Sequence, residues 1–135
     1  MGADFKAGDY KLLVEIRPNG SSAAFVSYLY VPFTLSGCGV VTLTPDLSSP
    51  RPRNTTVTWT ATVTCSGPAN YQFWVVTPSG TFIKVQDWSA TATFAWSSGV
   101  NQPTIGNYIV EVLVRNSDAS EDPYDNYKAV NYTLS

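Results

Sequence analysis

The sequence predicts an all-β fold in which antiparallel strands pack as a sandwich. Aromatic residues make up 13% of the chain. They occur with many valines and threonines, and all of these side chains suit a pleated, half-buried surface. Segments with strand character recur at intervals of about 8–12 residues. No segment repeats its apolar residues with the 3.6-residue period of a helix.

Alternation of apolar and polar residues marks the two clearest strands. In residues 57–65, apolar side chains alternate with threonines throughout, so one face is predicted to be core and the other solvent. In residues 108–114 a tyrosine and three valines alternate in the same way, with Glu111 and Arg115 facing outward. Shorter runs predict further strands at 71–76, 82–88, 92–96 and 127–134. Residues 77–80 (Thr-Pro-Ser-Gly) place Pro and Gly as a type I turn requires, which predicts a hairpin.

The two ends of the chain repeat each other. Residues 7–17 (AGDYKLLVEIR) align with residues 105–115 (IGNYIVEVLVR), 98 positions later. After a one-residue insertion, Tyr28, Val31 and residues 34–36 align with Tyr127, Val130 and residues 133–135 at a spacing of 99. We therefore interpret residues 1–36 as the last two strands of a preceding module, and residues 37–135 as a complete module.

The amino-terminal hairpin needs a cover, because a two-stranded hairpin alone is marginal in water. Its apolar row is predicted to contain Tyr10, Leu12, Val14 and Ile16, with Tyr28 and Phe33. Either this row packs on the complete module of the same chain, or it completes a sheet in another molecule. In both cases we expect the hairpin to be ordered and buried.

The two cysteines, Cys38 and Cys65, are either buried free thiols or one disulfide. Cys38 stands just before one predicted strand and Cys65 at the end of the next, and we favour the bridge. A metal site at these two residues is disfavoured, because the chain has no histidine and no further cysteine. A disulfide would indicate an oxidising compartment.

Charge and composition argue against several classes of function. Eight Lys and Arg residues are scattered along a chain of net charge −2, whereas nucleic-acid binders cluster theirs. The sequence contains no apolar run of about 18 residues that would span a bilayer. Without histidine, no Ser-His-Asp or Cys-His catalytic arrangement can form. We expect no enzymatic activity and no cofactor.

An acidic loop is the one candidate metal site. Asp118, Glu121, Asp122 and Asp125 lie in residues 118–125, and Ca²⁺ prefers several converging oxygen ligands. The aligned loop at residues 18–23 has no acidic residue. We therefore favour a solvated hairpin tip over a calcium site.

The tryptophans divide into two groups. Trp59, Phe94 and Trp96 share the alternation of core residues, whereas Trp74 is out of phase with its apolar neighbours. Trp74 and Trp88 form either an exposed platform for a ligand such as a sugar or the contact with the extra hairpin. We favour the hairpin contact.

Several segments together carry a family resemblance. They are CGVVTLTP (38–45), TVTWTA (56–61) leading to Cys65, YQFW (71–74), FAW (94–96), Gly106-x-Tyr108 running to Arg115, and the strand at 127–134. Residues 37–135 resemble a repeat of bacterial extracellular proteins related to triple-tyrosine and fibronectin-type-III-like domains. The resemblance implies an immunoglobulin-like sandwich, a Cys38–Cys65 disulfide and no catalytic residue. Tyr108 resembles the tyrosine-corner residue, whose hydroxyl holds a loop backbone.

Two functions follow as hypotheses. The leading one is a structural or interaction module of a secreted or cell-surface repeat protein, in a stalk, adhesin or fibre. Its partners would be neighbouring copies of the same module, joined in part by strand complementation. The competing one is an accessory module that binds polysaccharide through Trp74 and Trp88.

Overall fold

The computed structural model describes residues 8–22, 24–35, 37–97, 104–117 and 124–135, which form nine antiparallel strands and no helix. The strands are β1 (Gly8–Ile16), β2 (Ser27–Leu35), β3 (Thr42–Pro45), β4 (Thr56–Thr62), β5 (Ala69–Val76), β6 (Phe82–Ser89), β7 (Thr93–Ser97), β8 (Gly106–Asn116) and β9 (Asn126–Leu134). They form three sheets, with strand orders β1-β2, β3-β4-β7 and β6-β5-β8-β9. The all-β prediction is confirmed. None of the described segments forms a helix of the length and apolarity needed to cross a membrane.

The three-stranded and four-stranded sheets pack face to face around an aromatic core. Trp59 of β4 meets Tyr132 of β9 edge to face, with ring centroids 5.4 Å apart. Trp96 of β7 meets Tyr108 of β8 in the same way at 5.2 Å. The alternating apolar residues of β4 and β8 are buried between the sheets, as their pattern predicts: Val57, Trp59, Ala61, Tyr108, Val110, Val112 and Val114. This arrangement is that of a β-sandwich.

Cys38 and Cys65 form the predicted disulfide, with an S–S distance of 2.08 Å and a Cα–Cα distance of 4.0 Å. The two residues also face each other in an isolated antiparallel bridge. The strand predicted over 57–65 ends at Thr62, because the chain leaves the ladder there and runs to the bridge. Asn116, at the end of β8, donates from Nδ2 to the Ser66 hydroxyl at 2.8 Å. The side chain of Asn116 therefore ties the disulfide-bonded segment to the opposite sheet.

The predicted turn at residues 77–80 joins β5 to β6. The backbone N–H of Gly80 donates to the Thr77 carbonyl at 2.9 Å, which closes a four-residue turn. Gly80 has a φ of +85°, a conformation that residues with a Cβ rarely adopt. The hairpin predicted from this turn is confirmed.

The predicted amino-terminal hairpin is also present, and β1 pairs with β2 over the full length of both strands. Neither strand makes an extended contact with any other strand. The expected burial of the hairpin within its own chain is therefore not observed: Leu12 is 54% exposed and Phe33 48% exposed. The physical reason is that β8 and β9 already occupy the equivalent places in the sandwich.

Candidate functional site

The open surface of the β1–β2 hairpin is the candidate site, and its geometry matches that of β8–β9. Gly8 lies opposite Leu35, as Gly106 lies opposite Leu134. Every following pair, to the end of β1, keeps the same displacement of 98 positions on the first strand and 99 on the second. The two hairpins therefore share one register.

A side-chain hydrogen bond recurs at the same place in both hairpins. The Thr34 hydroxyl donates to Oδ1 of Asp9 at 2.8 Å. The Thr133 hydroxyl donates to Oδ1 of Asn107, also at 2.8 Å. Because this bond spans two strands, its recurrence supports the alignment of residues and not only of strand positions.

The apolar residues of the shared register are buried in one hairpin and exposed in the other. We call Leu12, Val14, Ile16, Leu29, Val31 and Phe33 the hairpin row; they are 38–59% exposed. Four of their six counterparts are at most 1% exposed, because the β3-β4-β7 sheet covers them: Val110, Val112, Val114 and Tyr132. The other two, on the edge strand β9, are the half-buried Val130 and the exposed Lys128. The exposed apolar row is therefore a candidate interaction surface.

Two details correct or extend the predicted row. The sequence analysis places Tyr28 in the row, and this is wrong: Tyr28 pairs with Glu15 and lies on the opposite face. Tyr28 and Phe33 are five positions apart in β2, so their side chains lie on opposite faces of the strand. Tyr10 belongs to the row face and stacks on Phe33, with ring centroids 5.6 Å apart.

Leu29 marks the clearest chemical difference between the two hairpins. The equivalent residue of β9 is Lys128, which is directly opposite Val112. A lysine on the core-facing side of an edge strand discourages further pairing, because its charge would have to be buried. The first hairpin has a 59% exposed leucine there instead, so this protection is missing.

Aromatic pairs also recur on the outer faces. Phe25 and Tyr28 meet edge to face at 5.7 Å, and Tyr124 and Tyr127 do so at 6.0 Å. In the first hairpin Tyr30 extends the pair, at 5.7 Å from Tyr28. Sequence reasoning missed this feature, although Phe25 and Tyr124 are 99 positions apart, the spacing of the second repeat segment.

Trp74 and Trp88 lie half-buried on the outer face of the four-stranded sheet. The Trp74 indole N–H donates to Oε1 of Gln72 at 2.8 Å. The guanidinium carbon of Arg115 lies 4.2 Å from the centroid of the Trp88 ring, a cation–π contact. The sequence predicts that the hairpin covers these tryptophans, but it makes no extended contact with β5 or β6.

Asp87 organises the neighbouring polar network. Its carboxylate accepts a hydrogen bond from Nε2 of Gln72 at 2.9 Å and one from the backbone N–H of Trp88 at 2.9 Å. Nζ of Lys84 lies 3.2 Å from the other oxygen. These contacts, led by the bond from Gln72, lower the pKa of Asp87 from 3.8 to about 2. The network orients Trp88 relative to β5.

Two tyrosine hydroxyls hold loops against the core. The Tyr108 hydroxyl donates to the carbonyl of Thr104, four residues upstream, at 2.6 Å. The Tyr132 hydroxyl donates to the carbonyl of Leu47 at 2.9 Å. Burial raises the pKa of both phenols, so each stays protonated and able to donate.

Glu111 provides a pH-dependent prediction. Burial raises the pKa of its carboxyl above the ordinary value of 4.5, and its direct cross-strand neighbours, Trp74 and Ala129, carry no charge. Since ionisation is disfavoured in the folded chain, stability falls as the pH rises from 4.5 through the folded-state pKa. We expect Glu111→Gln to raise the Tm at pH 7 and to lose this advantage at about pH 4.

Thermal unfolding at the two pH values checks this prediction, with Asp87→Asn as the control. The pKa of Asp87 is lowered, so the sign reverses and its substitution should give no gain at pH 7. Equal Tm values for Glu111→Gln and wild type at pH 7 would contradict the prediction.

The structure gives no support to a metal centre within the described segments, where no three His, Cys, Asp or Glu side chains are grouped to hold an ion. Of the predicted calcium ligands, Asp118, Glu121 and Asp122 lie outside the described residues. Asp125 accepts a hydrogen bond from the backbone N–H of Asn116 at 3.0 Å.

Comparison with known proteins adds no relative. No family model, curated protein sequence or solved structure matches the chain.

Proposed function

We propose that this chain is a non-catalytic structural and interaction module of an extracellular or cell-surface protein built from repeats of about one immunoglobulin-sized unit. One observation carries the proposal. The same hairpin occurs twice in one register, once buried in a sandwich and once with its apolar row exposed. A module that is preceded by the last two strands of its neighbour would be connected to that neighbour through the neighbour's core.

The sandwich supports an immunoglobulin or fibronectin-type-III-like assignment. With β3 to β9 taken as the seven strands in chain order, the sheets β3-β4-β7 and β6-β5-β8-β9 differ from the constant-type arrangement in one strand. The fourth strand pairs with the third and not with the fifth. The Tyr108 bond, near the start of the sixth strand, matches a tyrosine corner. The disulfide departs from the antibody pattern, because it joins neighbouring segments and not the two sheets.

Composition and redox chemistry support the extracellular location. Charged residues are only 13% of the chain, about half the usual share, so solubility depends on uncharged polar groups. The disulfide between Cys38 and Cys65 is compatible with an oxidising compartment.

Carbohydrate binding at Trp74 and Trp88 is the less supported function. The Arg115 guanidinium covers one face of the Trp88 ring, and a sugar stacking there would have to displace it. The indole N–H of Trp74 is already bonded to Gln72. Saturable quenching of tryptophan fluorescence by a polysaccharide, lost in Trp74→Ala or Trp88→Ala, would reverse this ranking.

Self-association tests the proposed function. Because the hairpin row is exposed, we expect the chain to associate with increasing concentration in sedimentation velocity. Leu12 and Val31 are directly opposite each other on the row face, and Leu13 and Tyr30 on the outer face. We expect Leu12→Ser/Val31→Ser to reduce association strongly and the matched pair Leu13→Ser/Tyr30→Ser to reduce it less. A wild-type chain that stays monomeric at every concentration would contradict the assembly role.

A further inference from the structure

We infer that the hairpin row is covered by a copy of the five strands β3 to β7 that directly precedes it in chain order. A β5-like strand would pair with the free edge of β1, and a β3-β4-β7-like sheet would pack on the row. This inference rests on the proposed function and names the partner that the function requires. Its basis is the β8–β9 hairpin, which β5 and the β3-β4-β7 sheet cover in this way.

The edges of the two hairpins show where the covering strand would pair. In the complete module, β8 lies between two partners: β9 on one side and β5, paired from Ala69 to Val76, on the other. Within the described residues β1 pairs with β2 alone. Its other edge therefore presents backbone N–H and C=O groups that match a β5-like strand in register and direction.

The row residues have the right chemistry for such a cover. Trp59 and Trp96 pack edge to face on Tyr132, at 5.4 and 5.8 Å. Phe33, at the position of Tyr132, keeps the ring for these contacts and lacks only the hydroxyl that bonds Leu47. The covering sheet is therefore expected to present tryptophans equivalent to these two.

A second copy of this chain fits less well as the cover. In each copy, the edge of β5 that would receive β1 is already paired with β8. Exchange between copies would require one of them to release β8 and β9, together with fully buried side chains such as Val110 and Val112. A preceding copy of β3 to β7 requires no such release, because its own last two strands are β1 and β2.

A lengthened chain tests the inference. Residues 37–104 are placed directly before residue 7 of the full chain, which reproduces the natural junction because residue 7 aligns with residue 105. The measurement is amide hydrogen exchange. In the lengthened chain we expect the β1 amides to be slowed by about a thousandfold or more, since they would open only on global unfolding. Intact mass should also show a second disulfide.

Two matched variants of the lengthened chain identify the face. Leu12→Glu places a charge on the row, whereas Leu13→Glu places it on the outer face, where the complete module has Glu111. We expect Leu12→Glu to abolish the protection of β1 and Leu13→Glu to preserve it. Protection that survives Leu12→Glu would overturn the inference.

A further variant tests whether overpacking by larger side chains, and not the absence of a matching cover, leaves β1 unprotected. Leu12 and Ile16 stand where the complete module has the smaller Val110 and Val114, and overpacking destabilises a well-packed core. The lengthened chain with Leu12→Val/Ile16→Val removes this excess. If β1 stays unprotected there too, or if the added strands capture β8 and β9, the inference is wrong. Concentration-dependent association of the original chain would then still support the proposed function, whereas an original chain that stays monomeric would contradict the proposed function as well.

Discussion

Removal of the disulfide is expected to lower the free energy of unfolding by about 3.5 kcal/mol, as the chain-entropy relation gives for this loop. Cys38 and Cys65 are 27 positions apart, and opening this loop gives the unfolded chain more conformations. Because domains of this size are stable by only about 5–15 kcal/mol, the double variant Cys38→Ala/Cys65→Ala should unfold at a much lower urea concentration. Equilibrium unfolding followed by circular dichroism measures the shift.

The double variant should nevertheless stay folded. Its disulfide-bonded segment keeps a second attachment, the bond from Asn116 to the Ser66 hydroxyl, and the core between the sheets is intact. Reduced wild type is the control, and its urea midpoint should lie near that of the double variant. The midpoint of the double variant itself should not change when reductant is added. A double variant within about 1 kcal/mol of wild type would contradict the loop-entropy account.

Alternation and turn chemistry predicted most of the strands, because both are local properties. The turn at residues 77–80 and the pattern of residues 57–65 depend on neighbouring residues only. The predicted end of the strand over residues 57–65 was less accurate. The strand ends at Thr62, because the chain leaves the sheet there to reach the distant Cys38. The repeat predicted the amino-terminal hairpin, and the alternating apolar row of residues 10–16 agrees with it.

Contacts between strands that are not neighbours in sequence could not be predicted. Periodicity places Arg115 on the outer face of β8, but its contact with Trp88 depends on the sheet order β6-β5-β8. The cover of the hairpin row is still harder to predict, because the residues that would form the cover are not part of β1 or β2.

The largest single-residue effect is expected at Trp59. Its side chain is completely buried between the sheets and meets Tyr132 edge to face. Truncation of a buried aromatic leaves a cavity that the surrounding strands fill only in part, so Trp59→Ala should cost about 3–5 kcal/mol. The half-buried Trp88 provides the matched control, and Trp88→Ala should cost about 1 kcal/mol, mainly through the lost contact with Arg115.

The indole nitrogen of Trp59 refines this prediction. Its N–H is buried and finds no hydrogen-bond partner among the described residues, so substitution removes packing and releases an unsatisfied donor at the same time. Trp59→Phe should therefore recover much of the stability lost in Trp59→Ala, because a ring still fills the space beside Tyr132. Urea unfolding of the three variants measures these differences. Equal losses for Trp59→Ala and Trp88→Ala would mean that the two sheets are not held together through Trp59, and the sandwich core would have to be reassigned.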